Sequence, residues 1–168
     1  KFDNSTVNET LLISYDLSAY NNSGTMFGNV NCTVENSGVY DNGCYFDGNG
    51  DYIEIDDNNS LDFGNESFSI IVWAKFNNGN ISENETLISK EESFILRKSS
   101  SVEGGNIDFL IYDGIDYEPK LQGINLSTNS WNLIIATYDG EEMKLYLNGI
   151  LVNSFVRGNF NINSINPI

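Results

Sequence analysis

Glu54 and Asp56 stand two residues apart in the run DYIEIDDNNS, so on a strand their carboxyls share one face, as a paired acid and base would need. The chain contains no histidine, which removes the usual general base, Ser-His-Asp triads and imidazole metal ligands. Glu54 and Asp56 are therefore expected to be solvated surface residues, and no catalytic residue is expected. Cation binding has more material. Calcium takes about six to eight oxygens from carboxylates, amides and carbonyls, and the chain has 24 Asp and Glu. Asp47-Gly48 and Asn49-Gly50, by themselves, are ordinary turn formers. A sugar site needs an aromatic platform ringed by hydrogen-bonding groups. Trp73 with Lys75, or Tyr112, Tyr117 and Tyr138, would supply one from the outer face of a sheet; packing is the commoner use of such rings.

Two further patterns concern processing. Asn-x-Ser/Thr occurs at Asn4, Asn8, Asn21, Asn31, Asn58, Asn65, Asn80, Asn84 and Asn125, nearly all in expected loops where a glycan could be carried. Cys32 and Cys44 are the only cysteines. They are close enough to join across a hairpin, closing a loop worth about 3 kcal/mol. Both patterns point outside the cell, and a glycan on Asn31 would compete with bonding at the adjacent Cys32.

The elements that must carry these residues are strands. WNLIIATYDGEEMKLYLNGILVNSF reads as a meander: Trp131–Tyr138, a loop at Asp139-Gly140, Met143–Leu147, the two-residue turn signal Asn148-Gly149, and Ile150–Phe155. Met143, Leu145 and Leu147 oppose Lys144 and Tyr146, so one face is buried and a second sheet must cover it. Phe68–Phe76 reads as a central strand: Phe68, Ile70, Val72, Ala74 and Phe76 form the core face. Ser69, Ile71, Trp73 and Lys75 form a half-apolar outer face that lines a groove or lies under a loop. Leu11–Tyr15, Thr25–Val34, an irregular Val39–Asp47, Tyr52–Ile55, Thr86–Lys90, Phe94–Arg97, Ile107–Tyr112 and a weaker Tyr117–Gln122 complete the strands. No amphipathic helix and no linker is evident, so one domain over residues 1–168 is expected.

Composition narrows the partners. A net charge of −16 argues against nucleic acid and against an anionic membrane surface. No run approaches the roughly 20 apolar residues of a membrane-spanning helix, and no signal-peptide pattern opens the sequence.

Taken in order, KFDNSTVNET, DLSAYNNSG, CYFDGNGDYIEI, SFSIIVWAKF, TLISK, WNLIIATYDG and KLYLNGILV resemble the concanavalin A-like lectin and glucanase group, in its laminin-G-like form. The likeness covers essentially the whole chain. It implies an all-β, antiparallel, two-sheet jelly-roll sandwich in a secreted or cell-surface protein that binds glycans or proteins, often with structural calcium. The calcium positions it implies are Asp3 and the Phe46-Asp47-Gly48 turn, with Asp51 as an added oxygen. Glucanase relatives carry Glu-x-Asp-x-x-Glu on their catalytic strand; here Glu54 and Asp56 match, but Asn59 replaces the final carboxylate. The family pattern also extends beyond both ends of this sequence, implying a fragment or strands supplied by a neighbouring chain. The resulting expectation is a non-catalytic extracellular recognition or adhesion module with carbohydrate as leading ligand. The alternative is a structural subunit of a surface layer or filament, completed by a strand-donating neighbour or by homo-oligomer formation.

Overall fold

The structure, a computed structural model, describes residues 12–34, 37–77, 82–100, 105–123 and 126–168, with the backbone alone for 7–8. The chain divides into two compact units, Lys1–Ser60 with Pro167–Ile168, and Leu61–Asn166. Among the described residues the only helical element is one 3-10 turn, Asn59–Leu61. All named strand pairs are antiparallel.

The first unit is a four-stranded sheet of β1 (Val7–Asn8), β2 (Ile13–Ser14), β3 (Gly24–Phe27) and β4 (Tyr52–Ile55), in that spatial order. The expected strand Thr25–Val34 stops at Phe27. Gly28 takes φ +79° there, and a Cβ on it would collide with the Asp51 carboxylate, so the chain turns instead of extending. Val39–Asp47 is likewise not a strand. Asn31 and Tyr45 form an isolated bridge here, in which their N–H groups donate to each other's carbonyls at 3.1 and 2.7 Å. The Cys32–Cys44 disulfide lies directly inside that bridge. Phe27 and Tyr52, opposite each other in the register, stack at 4.7 Å.

The second unit is a sandwich. One sheet has the order β12-β11-β10-β5, built from β5 (Phe68–Lys75), β10 (Trp131–Tyr138), β11 (Glu142–Leu147) and β12 (Ile150–Val156). The other runs β6 (Glu85–Lys90), β7 (Phe94–Lys98), β8 (Ile107–Ile111) and β9 (Leu121–Gln122). The expected strand Tyr117–Gln122 is thus confined to its last two residues. Phe68 joins the sheets: its ring lies 5.3 Å from Phe94 and 6.2 Å from Phe109, and stacks on Phe63 at 4.7 Å. Leu96, Ile111, Ile134, Ala136, Met143 and Leu145 fill the space between, all essentially inaccessible. The alternation on β10 is strict, with Asn132, Ile134, Ala136 and Tyr138 inward. Asn148 and Gly149 take φ +51° and +83°, the left-handed pair that a two-residue hairpin demands.

Candidate functional site

The outward face of the β5-β10-β11-β12 sheet is where exposed chemistry collects. On β5 the outward residues Ser69, Ile71, Trp73 and Lys75 are all exposed, Ile71 at 66% and Trp73 at 41%. Register sets their neighbours. Ile71 lies opposite Ile135, which lies opposite Tyr146, which lies opposite Leu151, so one apolar row crosses all four strands. A second, shorter row pairs Trp73 with Leu133, and Lys75 stands opposite Trp131. The flanking row is polar: Ser69, Thr137, Lys144 and Ser154. Lys144 is held at 2.7 Å by Glu142 and at 3.7 Å by Asp139. The hydrogen bond between Lys144 and Glu142 lowers the Glu142 pKa and raises that of Lys144. A sandwich sheet facing water normally alternates to polar side chains. An exposed indole beside an apolar row, with one lysine on the same strand face, is instead suited to stacking against a ligand's C–H face.

Tyr112 and Tyr117 also come together, with ring centroids 5.1 Å apart. Both are half-buried, and the Tyr117 hydroxyl accepts the Glu92 N–H at 2.6 Å. Burial raises the Tyr117 pKa above its ordinary value. The turn between them is pinned by Asp113, which accepts the Ile115 and Asp116 N–H groups at 2.9 and 3.0 Å and pairs with Arg157 at 3.1 Å. These N–H donors, the Asp116 N–H first, lower the Asp113 pKa. Tyr138 is not on an outer face as expected. It is 1% exposed, its ring lies 6.0 Å from Phe68, and its hydroxyl sits within reach of the Gly140 carbonyl (2.9 Å) and the Gly158 carbonyl. It shares the inward parity of Ile134 and Ala136, and cannot touch a ligand.

One cluster went unread in the sequence. Asp108 on β8 is fully buried. It takes Lys120 at 3.1 Å, Arg97 at 3.4 Å and the Gln122 amide at 3.0 Å. Arg97 and Gln122 lie directly opposite it on the two neighbouring strands. A single acid inside the apolar run IDFLIY was the signal. Its partners come from β7, β9 and the approach to β9, so register is needed to find them.

At the Asp47–Asp51 turn, Asp51 accepts the Asn29 N–H at 2.6 Å on one oxygen and the Asp47 N–H at 2.7 Å on the other. These bonds, the Asp47 N–H first, lower its pKa. Asp47 accepts the Asn49 N–H at 2.7 Å, and Gly48 and Gly50 take positive φ. Asp3 lies outside the described residues, among which no group of three His, Cys, Asp or Glu is placed to hold a metal. As described, the carboxylates of this turn are engaged by backbone N–H donors.

Glu54 lies on β4 opposite Thr25, and Asp56 is exposed just beyond the strand. Of the sequons, Asn21, Asn31, Asn58, Asn65 and Asn84 are exposed. The Asn58 and Asn84 side chains accept the Ser60 and Ser100 N–H groups at 2.9 and 2.8 Å. Asn4, Asn80 and Asn125 lie outside the described residues, as does the side chain of Asn8.

Comparison with known proteins bears on the fold. The family model described as the concanavalin A-like lectin/glucanases superfamily matches residues 47–167. No curated protein matches the sequence. Among solved structures, domain 4 of AbnA, a GH43 extracellular arabinanase from Geobacillus stearothermophilus, in complex with arabinotriose, is similar with a TM-score of 0.62. It is 16% identical over 85% of this chain and 69% of that one. A suspected carbohydrate-binding protein from Bacteroides ovatus ATCC 8483 has a TM-score of 0.48 and 19% identity over 60% of this chain, which spans only 28% of its length. Among the described residues no helix is long and apolar enough to cross a membrane.

Proposed function

Because the chain belongs to the concanavalin A-like lectin/glucanases superfamily, we propose that it is a non-catalytic extracellular recognition module that binds carbohydrate on the Trp73 face of its β5-β10-β11-β12 sheet. The observation that carries this reading is the exposed indole of Trp73, paired with Leu133 beside the apolar row through Ile71 and Ile135, with Lys75 on the same face. Stacking of a sugar's C–H face on the indole supplies the attraction, and Lys75 supplies hydrogen bonds to ring hydroxyls. A net charge of −16 favours a neutral glycan over an acidic one. Arabinotriose, carried by the similar arabinanase domain, is the natural first probe. Placement outside the cell is supported by the Cys32–Cys44 disulfide and by the exposed sequon asparagines. The lack of histidine and the Asn59 that stands where the glucanase pattern has its final carboxylate support a non-catalytic role.

An array of neutral oligosaccharides tests this. The protein is expected to be retained on a subset of glycans. Trp73→Ala is expected to weaken that binding by about thirtyfold, the equivalent of about 2 kcal/mol for a tryptophan anchor. Retention unchanged by Trp73→Ala overturns the reading. A second reading, a structural subunit of a surface layer or filament, is supported by β5 and β12 each lying at an open sheet edge among the described residues. It predicts polymers and no glycan retention.

A further inference from the structure

The chain's two tryptophans, Trp73 and Trp131, stand at opposite corners of one block on a single sheet face. On β5 the outward parity carries Trp73 and Lys75. On β10 it carries Trp131 and Leu133, the opposite parity to the buried Asn132 and Ile134. Register sets Trp73 against Leu133 and Lys75 against Trp131. Residues directly opposite in an antiparallel pair share a face, so the indoles are diagonal neighbours, about 7–8 Å apart at their backbones. Lys75 and Leu133 occupy the other two corners.

Two features separate this block from ordinary packing. Trp73 is 41% exposed and Trp131 is half-buried. Among the described residues neither indole stacks on another aromatic ring or lies under a cation. The second feature is Lys75. Lys90, Arg97, Lys98, Lys120, Lys144 and Arg157 are each held in an ion pair. Lys75 is exposed and makes no ion pair among the described residues. In a chain with 24 acidic and 8 basic residues, a cation left unneutralised beside two rings has three donors to offer a ligand.

We propose that Trp73 and Trp131 are consecutive subsites for a linear neutral glycan, and that Lys75 holds the chain where it passes from one ring to the other. This deepens the carbohydrate reading and rests on it. A sugar stacks its C–H face on one indole, and the second indole, set diagonally, serves the neighbouring sugar of the same chain. The ammonium lies directly across from Trp131 and next along the same strand face from Trp73, so it donates to hydroxyls of both sugars. Leu133, at the remaining corner, offers no hydrogen bond. The path is therefore oblique, from β5 to β10, with its polar side toward Lys75. The ligand class is the interior of an extended glycan, in preference to a single terminal sugar.

The test compares the mono-, di- and trisaccharides of arabinose, glucose and xylose by titration calorimetry. In a series that binds, lengthening from one sugar to two is expected to raise affinity by about thirtyfold, the worth of a second tryptophan anchor. Trp131→Ala is expected to drop the disaccharide to the level of the monosaccharide, whereas Trp131→Phe, which keeps a ring, retains most of the gain. Lys75→Met keeps the apolar stem and is expected to weaken the disaccharide about tenfold through lost charged hydrogen bonds. Trp131→Leu, which keeps apolar bulk without a ring, repeats the measurement in case the alanine variant unfolds. A disaccharide that binds no tighter than its monosaccharide overturns the paired subsites, as does full disaccharide affinity in Trp131→Ala or Trp131→Leu. If Trp73→Ala still abolishes binding in that case, the Trp73 reading stands. Binding that survives Trp73→Ala overturns that reading and this proposal with it, and so does a failure of every one of these sugars to bind.

Discussion

Replacing Asp108 with alanine removes the one carboxylate shared by Arg97 (3.4 Å), Lys120 (3.1 Å) and the Gln122 amide (3.0 Å). Asp108 is itself fully buried, whereas Arg97 and Lys120 keep 20% and 18% of their side chains exposed. Breaking a buried ion pair from one side costs about 3–5 kcal/mol, because charge remains where its counterion was. Two cations that reach solvent can relax toward it, so the expected loss is at the lower end, about 3 kcal/mol. That is a large share of a domain stability of about 5–15 kcal/mol. It corresponds to a fall of roughly 12 °C in Tm at about 4 °C per kcal/mol. Urea unfolding is the assay: the midpoint should drop with the slope m unchanged. The difference from the unmodified protein should persist in about 0.5 M salt, since buried pairs are poorly screened. A loss under about 1 kcal/mol, the range of exposed pairs, or a difference that vanishes in salt, refutes the burial argument.

Three further outcomes are expected. Tyr138→Phe removes the hydroxyl that meets the Gly140 and Gly158 carbonyls, and should cost about 1–2 kcal/mol by chemical denaturation without altering glycan retention. Reducing Cys32–Cys44, a bond across a sequence separation of 12, should destabilise the first unit by about 3 kcal/mol, read as early loss of amide-exchange protection in β3 and β4. Asp51, Asp113 and Asp139 all have pKa values lowered from 3.8 by backbone N–H donors. A lowered folded value means their stabilisation is complete above the ordinary value and is lost as pH falls through the lowered one. Thermal scans from neutral pH downward should therefore hold level until about pH 4 and then decline, and Asp51→Asn should converge with the unmodified protein only at the acid end.

The meander from Trp131 to Phe155 was legible almost to the residue, because alternation and the Asn148-Gly149 turn specify both strands and register. Phe68–Phe76 was legible for the same reason, including the odd outer face of Ile71 and Trp73. Tyr138 misled because both faces of LIIATY are apolar, so parity alone does not say which faces the other sheet. The stretch from Thr25 to Asp47 misled because β-prone residues are interrupted by Gly28, whose positive φ follows from the grip of Asp51 across the turn. Asp108 and Arg157 were passed over because each finds its partners on segments distant in sequence, and only strand register or loop packing brings those partners within reach.

The claim most worth testing is that Trp73 itself meets the sugar. The chain has two tryptophans, so Trp131→Phe leaves Trp73 as the only indole emitter. Titrating that variant with arabinotriose and the glycans retained on the array should give a saturable shift of emission to shorter wavelength as the exposed ring is covered. Emission that stays constant while the same glycan demonstrably binds would contradict the account.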